Sequence, residues 1–244
     1  MPLMRLRLSR PTLLVDIGGL SDLRYVREDG DHLAIGALAT HDDLARSEEL
    51  LDRCALIPCV AEQIGDPQVR HRGTIGGSVA HADPASDLPA ALMVLDAEII
   101  AHGSNGPRTV LATDFFQGPF MSALEPDEIL TEIRVPMRDG WGSSYQKFQR
   151  RAQDWAIVGV TALIESGDGI TGAAIGLTNM GGTPLRATAV EQALLGSSDP
   201  DGVAAAAAKV AEIGTPPADE NASSEYRLHL AEVLIMRAGA VALS

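Results

Sequence analysis

Residues 156–177 constrain the fold more than any other stretch. Two apolar runs, Ala156–Glu165 and Ile170–Leu177, flank Ser166-Gly167-Asp168-Gly169, and a short Gly-Asp-Gly connection joins neighbouring antiparallel strands. Ile129–Val135 and Tyr145–Gln149 read as strands ahead of them. Helical stretches follow at about Ala187–Leu195, Val203–Ile213 and Ser224–Ala240. A run of strands and then a run of helices predicts an α+β fold and argues against a parallel α/β sheet.

The amino-terminal half is expected to form a unit of its own. Thr12–Ile17, apolar and closed by Gly18-Gly19, reads as a buried strand. Leu23–Arg27 and His32–Gly36 bracket an Asp-Gly turn and read as a hairpin. Thr40 with Asp43 three residues on predicts a capped short helix, and Ser47 then caps a longer one from Glu48 to about Gly65. Ser86 or Asp87 caps a helix over Leu88–Leu95, and Glu98–Ala101 pairs with Arg108–Leu111 around Gly103-Ser104-Asn105-Gly106. Gly, Pro and Ser cluster at Gln117–Glu125, which puts a boundary between units 1–120 and 126–244.

Composition excludes more than it assigns. The formal charge of −14 argues against nucleic acid, whose phosphates need a basic surface. Cys54 and Cys59 are the only cysteines, too few and too close for an iron–sulfur site. They read as small apolar residues in a reducing compartment. The opening MPLMRLRLSRP has no signal-peptide core, and no apolar run is long enough to cross a bilayer, so the cytoplasm is the expected location.

Within the first unit, after Gly65, lies DPQVRHRGTIGGSVAHADPASDLP, without a sustained period and too long for an ordinary connector. Within it, Gly76-Gly77 lets backbone approach a ligand. Successive amides can there form a nest for phosphate oxygens, with Thr74 and Ser78 adding hydroxyls. Read alone, the pair is equally an ordinary turn. No Lys-Ser/Thr follows it and no strand leads into it, so neither nucleotide-hydrolase nor Rossmann patterns apply. His81-Ala82-Asp83-Pro84-Ala85-Ser86-Asp87 offers carboxylates for ribose or ring-edge hydrogen bonds, or simply an Asp-Pro turn and a helix cap. Tyr145-Gln146-Lys147-Phe148 with Trp155 offers a cation and an aromatic face beside a ring that gains electrons, or a core residue next to a surface lysine. His41, His71, His81 and His102 show no metal-ligand spacing.

Taken in order, QVRHRGTIGGSVAHADPASDLP, preceded by LAIGALATHDDLARS and followed by DEILTEIRVP and YQKFQRRAQDWAIVGV, closely resembles the FAD-binding medium subunits of the carbon monoxide dehydrogenase and xanthine dehydrogenase family of molybdenum hydroxylases. The resemblance covers essentially the whole chain. It implies part of a PCMH-type FAD-binding domain, then a domain of antiparallel sheet and helices. It also implies that Thr74, Ile75, Gly76, Gly77 and Ser78 contact the FAD pyrophosphate, that Asp87, Ile64 and Gly65 line the same groove, and that Leu130, Lys147 and Trp155 approach the isoalloxazine. It assigns no general acid or base to this chain. The flavin would pass electrons from the clusters of an iron–sulfur small subunit to an external acceptor, while a molybdopterin large subunit oxidises the substrate.

One departure accompanies the resemblance. Family chains begin with a small α/β lobe ending in an AGGHS- or AGGQS-like loop, and a stretch resembling PLMRLRLSRP follows that loop. Here PLMRLRLSRP opens the sequence. Each charge-assisted hydrogen bond of a missing loop is worth about 1.5–3 kcal/mol, and about 1.4 kcal/mol is tenfold in affinity. Three readings stay open: a start upstream of Met1, a lobe supplied by another chain, and a subunit that has lost FAD and serves as a scaffold.

Overall fold

The computed structural model describes residues 2–8, 10–197 and 200–244. After a short helix α1 (Pro2–Arg5) the chain runs without regular structure through Thr12–Ile17. The strand expected there does not form. Leu13, Leu14 and Val15 are 64–76% exposed, because no strand among the described residues lies beside them to take up their backbone groups and cover their side chains.

The first unit is a five-stranded antiparallel sheet with helices on one face. β1 (Val26–Asp29) and β2 (His32–Gly36) form the expected hairpin. Thr40 and Asp43 close a complete capping box on α2 (His41–Arg46), and Ser47 caps α3 (Glu48–Arg53). The long helix expected from Glu48 breaks at Cys54 and resumes as α4 (Leu56–Glu62). Pro58 gives the reason. A proline lacks the N–H and clashes with the carbonyl four residues back, so it is accommodated only in a helix's first turn.

The irregular central stretch is also helical in part. Asp66 caps α5 (Pro67–Arg70) and Thr74 caps α6 (Ile75–His81), and α7 (Asp87–Val94) follows with all of its residues buried. These helices are too short to show a period, and each is set by a side-chain cap or by burial. β3 (Glu98–Gly103) and β4 (Gly106–Leu111) form the second hairpin; α8 (Ala112–Phe115), β5 (Phe116–Gly118) and β6 (Met121–Ser122) lead to β7 (Ile129–Pro136).

A boundary at Gln117–Glu125 assigns β7 to the second unit. The sheet instead holds it centrally, in the order β1-β2-β7-β3-β4. Ile133 and Val135 pair with Ile35 and Leu33 across to β2, which puts their side chains on the core face. Local composition marks a turn there, but the strand after it returns to the sheet it left.

The second unit is an antiparallel sheet, β8 (Trp141–Phe148), β9 (Val158–Gly167), β10 (Gly169–Thr178) and β11 (Leu185–Arg186), in the order β11-β10-β9-β8. One face carries α9 (Thr188–Leu194), α10 (Pro200–Ala207) and α11 (Ser224–Ala242). Alternation along β9 divides the cores: Val158, Val160, Ala162 and Ile164 pack under these helices, while Leu163 joins Tyr145 and Ala174 against the first unit. There α7 lies directly on β10. A Cβ at Gly176 would come within 2.7 Å of the Ala90 carbonyl, so the glycine sets the closeness of the two units.

Candidate cofactor site

A cleft of about 330 Å³ opens where the two units meet. Its walls are the ends of α4, α6 and α7 on one side and β8 with the segment after it on the other. Of the residues singled out in the sequence, Ile64, Gly65, Gly77, Ser78, Asp87, Lys147 and Trp155 line it. Thr74, Ile75 and Gly76 stand behind Gly77, and Leu130 lies within the core of the first unit, opposite Ala101 on β3. A larger depression of about 420 Å³, walled by the ion pair of Arg24, just before β1, with Asp43 on α2, contains none of these residues.

The glycine loop does not form the open amide nest expected of it. Ile75 N–H donates to the Ala39 carbonyl at 3.0 Å and Gly76 N–H to the Ala37 carbonyl at 2.9 Å. Gly77 N–H is taken by the Thr74 hydroxyl at 3.1 Å, and Ser78 N–H by the Thr74 carbonyl at 3.0 Å. The two glycines serve different ends. Gly76 is buried against Ala37, while a Cβ on Gly77 would meet only the Thr74 hydroxyl. The loop therefore offers the cleft a bare backbone surface at Gly77 and hydroxyl groups at Ser78 and Ser86, whose Oγ atoms lie 2.6 Å apart.

Beneath this wall sits a buried ionic group that bridges the two units. Asp87, the first residue of α7, accepts from Lys147 Nζ at 2.8 Å on Oδ2 and from the Tyr145 hydroxyl at 2.5 Å on Oδ1. The Lys147 side chain is 1% exposed and that of Asp87 6%. Lys147 also donates to the Gln63 carbonyl at 3.2 Å, and Gln63 Nε2 donates to the Tyr145 carbonyl at 3.2 Å. One ammonium donor thus has no protein acceptor among the described residues. Burial pushes the Asp87 carboxyl above the usual carboxylate range, against the pull of Lys147 and Tyr145. Burial, and then the Asp87 charge, push the Tyr145 hydroxyl well above its ordinary value.

Apolar surface completes the cleft. Ile64 and Val69 form one side, and Trp155 stands at the rim, 69% exposed. Gly65 takes φ +50° where the chain turns from α4 towards α5, and a side chain there would press on Val69 at 2.9 Å. Val69 and Gln63 were not foreseen; neither carries a chemical signal, and only the fold brings them here.

Known proteins show the same plan. The model of the FAD-binding domain in molybdopterin dehydrogenase matches residues 1–138, and that of the carbon monoxide dehydrogenase flavoprotein C-terminal domain matches residues 143–241. The chain belongs to the FAD-binding medium chains of the molybdenum hydroxylases. It is 38% identical to the carbon monoxide dehydrogenase medium chain of Hydrogenophaga pseudoflava over 98% of its own length and 84% of the relative's. It is 37% identical to the glyceraldehyde dehydrogenase medium chain of Sulfolobus acidocaldarius, covering 97% and 85%. Among solved structures, carbon monoxide dehydrogenase from Hydrogenophaga pseudoflava superposes with a TM-score of 0.95 at 40% identity, covering 99% of this chain and 85% of that one. Quinoline 2-oxidoreductase from Pseudomonas putida 86 gives 0.93 at 30% identity, with the same coverage.

For a medium chain of this family, the cleft's chemistry fits a flavin nucleotide on three counts. Gly77 has no side chain to obstruct a close approach. Ile64, Val69 and Trp155 supply apolar surface for a ring, and Lys147 keeps a spare donor in a nearly dry site. No helix among the described residues is long and apolar enough to cross a membrane.

Proposed function

We propose that this chain is the FAD-carrying electron-transfer subunit of a heteromeric molybdenum hydroxylase. It takes electrons from iron–sulfur clusters on a small subunit and delivers them to an external acceptor, while substrate is oxidised on a large molybdopterin subunit. The observation that carries the reading is the meeting, in one interdomain cleft, of Gly77, Ser78, Lys147 and Trp155 from three separate stretches of sequence. Bound there, a flavin supplies a carrier that accepts and releases electrons singly or in pairs.

The chain's own residues position and tune. Gly77 and Ser78 lie where a phosphate-bearing backbone can approach, with Thr74, Ile75 and Gly76 fixing their geometry from behind. Lys147 would hold a cation beside a bound flavin and offset the negative charge that reduction adds, and Asp87 balances that cation at 2.8 Å. Trp155 would offer an aromatic face to the ring from the rim. Leu130 acts from the core, through the sheet that supports α6. Both cysteines are free thiols, in keeping with a reducing, cytoplasmic setting.

The test is the visible spectrum and the acid-released flavin of the intact complex. We expect one FAD per medium chain, lost in Gly77→Val without loss of assembly. A complex that carries its clusters but no flavin would overturn the reading and leave the chain a scaffold.

A further inference from the structure

The base of the cleft holds a hydroxyl to which the flavin reading gives no task. Tyr145 lies on β8, 3% exposed, and is not among the residues that line the cleft, whereas Asp87 and Lys147 both are. Tyr145 and Lys147 are two residues apart on one strand, so their side chains share a face. They reach opposite oxygens of the one carboxylate, at 2.5 and 2.8 Å. The hydroxyl therefore acts on a ligand only through Asp87.

A carboxylate removed from water stays ionised only where donors and opposite charge replace the solvent. Lys147 supplies one contact and Tyr145 the other. While Asp87 is ionised, the ammonium is balanced and the pair adds no net charge to the cleft. Once Asp87 takes a proton, Lys147 stands uncompensated beside it. The other titratable groups facing the pair are Cys59 from α4, His81 from α6, Asp83 from the turn before α7 and Asp154 at the rim; β9 and β10 present only Gly159 and Thr178 to the Tyr145 hydroxyl.

We propose that Tyr145 is a positioning residue that sets the charge a bound flavin experiences: its hydroxyl holds Asp87 ionised as the counter-ion of Lys147. The proposal rests on the flavin reading above.

The experiment is the reduction potential of the FAD in the whole complex, followed against pH for wild type, Tyr145→Phe and Asp87→Asn. Phe keeps the ring that fills the core. Loss of the hydroxyl is expected to move the protonation of Asp87 up by about one to two pH units, the worth of one hydrogen bond to a charged group. The extra rise in potential on the acid side then begins at higher pH in Tyr145→Phe, with FAD content retained. Asp87→Asn shows the raised potential throughout and no step. A Tyr145→Phe profile that superposes on wild type overturns the proposal. So does a step that persists in the Tyr145→Phe/Asp87→Asn double variant, or flavin loss from either single variant, which makes the group a binding element. A wild-type complex without flavin overturns the flavin reading together with this one; an unmoved profile in a flavin-bearing complex overturns this one alone.

Discussion

Gly76 lies so close to Ala37 that a Cβ added to it would stand 2.6 Å from the Ala37 Cβ and 2.7 Å from its carbonyl oxygen. Its neighbour Gly77 is exposed to the cleft and has only the Thr74 hydroxyl nearby. Gly76→Ala is therefore expected to lower stability by about 1–3 kcal/mol through overpacking against backbone. Gly77→Ala is expected to stay within about 1 kcal/mol of wild type, since alanine suits a helix better than glycine. Urea unfolding of the two variants decides it, and equal losses would refute the division of labour.

Removing Lys147 strands a buried carboxylate. Lys147→Met is expected to destabilise by about 3–5 kcal/mol, the usual consequence of breaking one side of a buried ion pair. Lys147→Met with Asp87→Asn should recover most of that loss, because no charge then remains in the dry site. A double-mutant cycle on urea midpoints measures the coupling; additive losses would show that the pair does not act as a unit.

His41 makes stability depend on pH. It is 5% exposed, with Nδ1 unpartnered, and burial followed by the charge of Arg70 brings its pKa down to about 4. The unfolded chain takes up this proton near 6.5, the folded one only near 4. Between those values the unfolded state binds more protons, so stability falls as pH falls. The loss is roughly 3 kcal/mol across the window. His41→Gln should flatten that part of the curve when unfolding free energy is compared at pH 7 and pH 5.

Thr40 caps α2 through both halves of its capping box, at 3.1 Å to Asp43 N–H and 2.9 Å from its own N–H to Asp43 Oδ2. It also bridges to Thr74, the cap of the cleft helix α6. Thr40→Ala should cost about 0.5–2 kcal/mol, read as a lower thermal midpoint. Thr40→Ser should restore most of it, and an unchanged midpoint in Thr40→Ala would contradict the cap.

Local chemistry was legible wherever a signal fits within a few residues. Thr40 with Asp43, the Ser47 cap and the Gly167-Asp168-Gly169 turn act over a span short enough for composition to decide. Resemblance supplied the cofactor class, and seven of the eleven residues it pointed to share one cleft. Thr12–Ile17 and β7 were misread because a strand is defined by what pairs with it. Apolar content alone cannot tell a strand with a neighbour from one without, or say which sheet a strand rejoins.

The sequence by itself determined the α+β class, the hairpins, the Thr40 and Ser47 caps, and the family to which the chain belongs, because each is carried by residue types at fixed short spacing. Only the tertiary structure decided which of two adjacent glycines faces the cleft. It alone showed that the loop's amides are already spent on Ala37, Ala39 and Thr74, and that Asp87 meets Tyr145 and Lys147 about sixty residues away. Such contacts join segments far apart in the chain, and burial makes them decisive by removing the water that would otherwise satisfy the same groups.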